Sequence, residues 1–118
     1  MNLGKVGEDL AVDFLRGKNF KILARNWTYG KGELDVVAFD GASAVLVFIE
    51  VKLRSGRALV PGYFAVDAKK KSVLRRTCMG YLRAFTSDSV SYRFDVIEVR
   101  MGGDGKHEIS HYENVKLF

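Results

Sequence analysis

Leu3, Val6, Leu10, Ala11, Phe14 and Leu15 recur at helical spacing, so an amphipathic helix is predicted over residues 3 to 18. Asn2 stands at the N-cap position, and Gly17 and Asn19 supply the stop signal. The period then shortens. Phe20 to Trp27 reads as a first strand, and the polar, Gly-containing residues 28 to 31 as a turn. Val36-Val37-Ala38-Phe39 and Ala44-Val45-Leu46-Val47-Phe48-Ile49 flank the polar break Asp40-Gly41-Ala42-Ser43, which is the pattern of a β-hairpin. Three antiparallel strands in succession follow.

Residues 54 to 64 hold the single proline and two glycines and read as a loop. A second helix is predicted over 66 to 86, with Asp67 as its cap and Leu74, Cys78, Tyr81, Leu82 and Phe85 as its core stripe. After a polar connection, 92 to 100 alternates as a strand that a crossover can set parallel to a neighbour. A Gly-rich turn leads to a short edge strand over 107 to 112, and the apolar tail 115 to 118 packs back. The order α-β-β-β-α-β-β gives an α/β fold, a mixed sheet flanked by helices. A chain of 118 residues is expected to form one domain.

Period two places Glu33, Asp35, Val37 and Phe39 on one face of their strand, and Leu46, Phe48, Glu50, Lys52 and Arg54 on one face of the next. A four-residue loop at 41 to 44 would set Asp35 opposite Glu50, and any loop of even length keeps them on the same side. Two carboxylates and an amine then gather at the end of an apolar hairpin. Neighbouring carboxylates repel and lose hydration, and a hard divalent cation with oxygen ligands relieves both costs. Lys52 could orient a metal-activated water or stabilise charge on a phosphate. The plainer reading is a cross-strand ion pair. Glu8 sits at the edge of the first helix's apolar stripe, beside Ala11 and Leu15, where it can lean toward a sheet or remain a solvated side chain.

Charge sharpens this picture. The net charge of +5 favours a polyanionic partner. Lys69, Lys70, Lys71, Arg75 and Arg76 crowd the first turns of the second helix, against its macrodipole, as expected beside an anion. A solvated basic face is the ordinary alternative. Arg54 and Arg57, in the loop after Lys52, could hold phosphates. Cys78 is the only cysteine, so an intrachain disulfide and a cysteine-based zinc site are both excluded. His107 and His111 on a strand lie too far apart for easy chelation. No apolar run is long enough for a membrane helix and no signal-peptide pattern opens the chain, so a cytoplasmic location without a membrane partner is expected.

Gly7-Glu8, Gly32-Glu33-Leu34-Asp35, Val47-Phe48-Ile49-Glu50-Val51-Lys52, Lys70 and Arg93-Phe94-Asp95-Val96, in that order, resemble the YraN-like family of small bacterial proteins, and Asp35 with Glu50-Val51-Lys52 resembles the PD-(D/E)xK nuclease motif. The resemblance implies a restriction-endonuclease-like fold acting on nucleic acid, DNA above all, with Mg²⁺ or Mn²⁺ as cofactor. It implies Asp35, Glu50 and Glu8 as metal ligands and catalytic groups, Lys52 as the group that positions water, and Lys70 as a support of the site. Lys71 stands where the family commonly has Gln. Holliday-junction resolvases share a similar arrangement, which suggests branched DNA. Nucleases that cut both strands often dimerise, and an exposed C-terminal edge strand could pair with a second copy as a homodimer. A binding module that keeps the fold without catalysis is the alternative, and a protein with a merely structural ion-pair network a third. Arg93 and Asp95 read as an ion pair at the sheet end.

Overall fold

The computed structural model describes residues 2–55, 68–87 and 89–118. Helix α1 spans Leu3–Gly17, strands β1, β2 and β3 span Phe20–Tyr29, Gly32–Asp40 and Val45–Ser55, helix α2 spans Ala68–Phe85, and β4 and β5 span Tyr92–Met101 and His107–Tyr112. The fold is the α/β arrangement, in the element order, expected of a restriction-endonuclease-like core. The five strands lie in chain order β1-β2-β3-β4-β5. Every neighbouring pair is antiparallel except β3 and β4, which the α2 crossover makes parallel. Among the described residues no helix is long and apolar enough to cross a membrane.

The two helices cover opposite faces. Ala11, Val12 and Leu15 of α1 pack on Val36, Ala38, Val47, Ile49, Ile97 and Val99. Cys78 and Tyr81 of α2 pack on Leu34, Val37, Phe48, Phe94 and Val96. Alternate residues of β3 and β4 feed the two cores, so both central strands are buried on both sides. Burial pushes the Cys78 thiol up to about 12, as befits a packed, inert sulfhydryl.

Local signals explain the ends. The Asn2 side chain accepts the Lys5 amide at 3.1 Å, capping α1, and Asn19 follows its end with φ 66°. β1 runs on to Tyr29, so the turn expected over 28 to 31 shrinks to Gly30-Lys31, with Gly30 at φ +58°. β3 runs on to Ser55, paired along its whole end with β4 as far as Met101. Arg54 is therefore a strand residue and not part of a loop. Arg57, the rest of the expected loop and the Asp67 cap lie outside the described residues. Phe85, expected in the core stripe of α2, is 61% exposed, because the helix ends at Phe85 itself, on the margin of the sheet.

The end of the sheet where β4 begins is closed by charge. The Arg93 guanidinium donates to both oxygens of Asp95, at 2.9 and 3.2 Å, and also reaches Asp40. His111 Nε2 lies 2.8 Å from Asp95, and its Nδ1 lies 2.9 Å from the Lys18 amine. A neutral ring protonated on Nε2 satisfies both contacts. The Asn114 backbone N–H is a third donor group to Asp95. Burial pushes the Asp95 carboxyl up, but the bonds from His111, Arg93 and Asn114 outweigh it and hold the group below its ordinary value. The ion pair expected of Arg93 and Asp95 is thus the centre of a network that fastens β5 and the tail.

Candidate functional site

The hairpin register is the one the loop length predicts. Asp40 faces Val45 across residues 41 to 44, and the ladder continues to Val36 opposite Ile49. One step further it would set Asp35 across from Glu50. The chain does not take that step. Gly32 abuts Thr77 and Val73, and Leu34 packs with Cys78 and Tyr81, all on the α2 side. Val36 and Ala38 pack on the α1 side. The alternation therefore breaks at Asp35. On the neighbouring strand, pairing passes from Arg25–Val36 to Trp27–Leu34 around Asn26, whose φ is +51°. A left-handed residue interrupts a strand, and Asn tolerates that conformation better than most.

The break turns the Asp35 side chain from the face that period two predicts into the gap between β2 and β3. Its Oδ2 accepts the Val51 backbone N–H at 2.9 Å, replacing the bond the ladder would have made. Asp35 then lines a cleft of about 500 Å³ on the α1 side, with Glu8, Arg25, Asn26 and Glu33. Glu50 lines a second cleft of about 390 Å³ beside α2, with Lys31, Lys69 and Lys70. Glu33 borders both clefts. The expectation that Asp35 and Glu50 share one sheet face is corrected accordingly. They line different clefts, which meet at Glu33.

The electrostatics record how close the acids are. Burial pushes the Asp35 carboxyl up, the Val51 amide pulls it down, and the charges of Glu50, Glu8 and Glu33 push it up again, from 3.8 to about 6. Glu8 is held over the cleft by two donors, Arg25 Nε at 3.1 Å and Asn26 Nδ2 at 2.9 Å, while a second nitrogen of Arg25 binds Asp9. The Glu8 side chain is mostly buried, so it is not the solvated helix residue that spacing allowed. Glu50 pairs with Lys52 at 2.8 Å, and Lys70 reaches it at 3.9 Å. Among the described residues no three His, Cys, Asp or Glu side chains are close enough together to hold a metal ion in this arrangement. The cluster is thus four acids near one seam, with Glu8 and Glu50 each engaged by a cation.

The expected basic patch divides. Lys69 and Lys70 are exposed at the rim of the α2-side cleft, Lys71 is half-buried, and Arg76 is exposed. Arg75 is committed elsewhere, donating to the Leu117 carbonyl at 3.1 Å and so tying down the tail. Arg25 and Asn26 escaped the functional reading of the sequence, in which Glu33 is only a secondary ligand or a charge near the turn. The available signal for Asn26 was an amide residue, poorly suited to strands, inside an otherwise β-forming run.

A family model described as "Uncharacterised protein family UPF0102" matches residues 7–99. This chain belongs to the UPF0102 family. A UPF0102 protein of Symbiobacterium thermophilum is 42% identical over 104 residues, covering 88% of this chain and 86% of the relative. One from Mycobacterium ulcerans is 41% identical over 115 residues, 98% of this chain and 94% of the relative, and one from Solibacter usitatus is 39% identical over 109, 91% and 81%. The resemblance to the YraN-like family read from the motif blocks is the same membership. The UPF0102 match runs from before Glu8 to past Arg76, so it takes in the acidic residues of both clefts, and it stops before β5.

Proposed function

We propose that this UPF0102 protein is a metal-dependent nuclease-like protein that hydrolyses nucleic-acid phosphodiesters. The observation that carries the reading is the gathering of half-buried Asp35 with Glu8 and Glu33 in one cleft, where burial and the neighbouring acids push its carboxyl up to about 6. Burying a carboxyl beside other acids costs a fold stability, and perturbed carboxyls gather at reactive sites. The donors also suit a hard cation, since they are oxygens whose mutual repulsion a divalent ion would relieve. Asp35, Glu50 and Glu8 are not gathered closely enough to hold an ion as they stand. Drawn together, with Glu8 and Glu50 released from their cations, they would hold Mg²⁺ or Mn²⁺, which would offset charge on the scissile phosphate and acidify a water. Lys52 carries an ammonium on the same strand, two residues from Glu50, where it can orient the attacking water or neutralise the phosphate. Arg25 and Asn26 keep Glu8 at the cleft, and Lys69 and Lys70 offer positive charge to the nucleic-acid backbone along α2. The family resemblance adds DNA, branched forms included, as the substrate, and a pair of chains as the working unit.

Duplex, single-stranded and four-way-junction DNA incubated with and without Mg²⁺ or Mn²⁺ tests the proposal. Metal-dependent cutting is expected, reduced at least about a hundredfold in Asp35→Ala and in Lys52→Ala. One observation favours a second reading. Glu50 already has a cationic partner in Lys52, as a nucleic-acid-binding module without catalysis would allow. That reading gains if binding is salt-sensitive, no cutting occurs, and Asp35→Ala changes nothing.

A further inference from the structure

Trp27 and Tyr29 project from β1 with their rings nearly parallel, 5° apart in plane at 5.9 Å between centroids. Phe85, at the end of α2, meets Trp27 edge-on at 6.0 Å and Tyr81 at 4.7 Å. Two of these rings face solvent. Tyr29 is 46% exposed and Phe85 61%. Three features show that the grouping is constructed rather than left over. Tyr29 lies flat against α2 because residue 80 is glycine, and a Cβ there would stand 2.9 Å from the ring carbons. Arg83 donates to the Tyr29 hydroxyl at 3.3 Å, fixing the ring from its rim. Tyr81 anchors the group to the core against Phe48.

The rings also continue the α2-side cleft. Tyr29 pairs with Gly32, which lines that cleft beside Lys31, Glu33 and Glu50. Along α2 the cleft residues Lys70, Val73 and Thr77 are followed, at helical spacing, by Gly80 and then by the turn that carries Arg83. A cationic groove thus leads from Glu50 to exposed aromatic faces. We propose that Tyr29, Trp27 and Phe85 form a stacking platform for unpaired bases of a single-stranded nucleic acid whose backbone follows Lys31, Lys69 and Lys70. Aromatic faces beside a cationic track are the means by which single strands are held without sequence preference. The lysines alongside argue against a protein partner, because Lys is depleted at the buried centre of a protein interface. The inference deepens the reading above by naming unpaired bases as part of the substrate, and it rests on that reading only for the nucleic-acid partner.

Trp27 is the only tryptophan of the chain, so its emission reports on the platform directly. Short oligothymidine, oligouridine and a blunt duplex are titrated without divalent cation. Quenching by at least one single strand, and tighter binding of it than of the duplex, are expected. Phe85→Ala, at an exposed site, should weaken single-strand binding about tenfold and leave duplex binding unchanged. Gly80→Ala, which displaces the Tyr29 ring, should act in the same direction. Equal affinity for duplex and single strands overturns the proposal, as does unaltered binding by Phe85→Ala. A self-association that Phe85→Ala abolishes would assign the rings to a contact between copies and overturn it as well. Quenching without any metal-dependent cutting removes the nuclease reading alone, whereas cutting without quenching removes the platform alone.

Discussion

At the scale of single residues, Asp35 sets a sign for the pH dependence of stability. Its carboxyl is raised in the fold to about 6 from an ordinary 3.8. Between those values the folded chain binds more protons than the unfolded one, so Asp35 stabilises the fold least once it is ionised. Its unfavourable contribution grows as pH rises from about 4 and is complete above about 6. Asp35→Asn keeps an acceptor for the Val51 amide and removes the charge. The variant should be more stable than the parent at pH 8, by about 2 kcal/mol, and no more stable at pH 4, as thermal unfolding at the two values would measure. A loss of stability at pH 8 would mean that the carboxylate is a net asset to the fold, and the functional reading of its burial would fail. The neighbouring acids belong to the same account, since each adds negative charge near a group that is already poorly hydrated.

Between elements, the seat of β2 on α2 depends on Gly32. A Cβ at that position would fall well inside contact with the Thr77 hydroxyl, which is buried and donates to the Val73 carbonyl at 2.7 Å, and would press on the Val73 side chain. Gly32→Ala should cost about 2 kcal/mol in chemical denaturation, and adding Thr77→Ala should recover part of it, a coupling that distant sites would not show. Much at this scale was legible in the residues. The α1 stripe, its Asn2 cap and the four-residue loop of the hairpin follow from periodicity and turn chemistry, and the intervening helix allows the parallel return of β4. What was not legible has a common cause. Asp35 lies across from the left-handed backbone of Asn26 on another strand, and period two applied to β2 alone cannot register an irregularity shared with its neighbour. Arg54 was misplaced because its strand is prolonged by pairing with β4, a long-range contact invisible to local pattern. Phe85 kept the helical spacing of the core residues but lies where the helix has run past the sheet.

Across the whole molecule, the surplus of positive charge is distributed by what else each side chain must do. Arg75 holds the Leu117 carbonyl, and Leu117 is buried in the α2-side core. Arg75→Ala should therefore lower the melting temperature, at a cost of about 1 kcal/mol, and leave nucleic-acid affinity nearly unchanged. Lys69→Ala and Lys70→Ala should do the reverse, weakening binding and each lowering the salt slope by about one while the melting temperature holds. A common loss of affinity in all three would mean that α2 acts as an undivided basic face. The strand order carries a further consequence, for how the fold is reached. Since spatial order repeats chain order, the first three strands can assemble through short-range hairpins within microseconds, before α2 takes part. Of the four seams of the sheet, the parallel one between β3 and β4 alone joins stretches of chain that are not successive hairpin arms, and closing that loop is an entropic hurdle of folding. Glu50 and Lys52 lie on that seam, opposite Val96 and Glu98, so the clefts take shape in the step that completes the sheet.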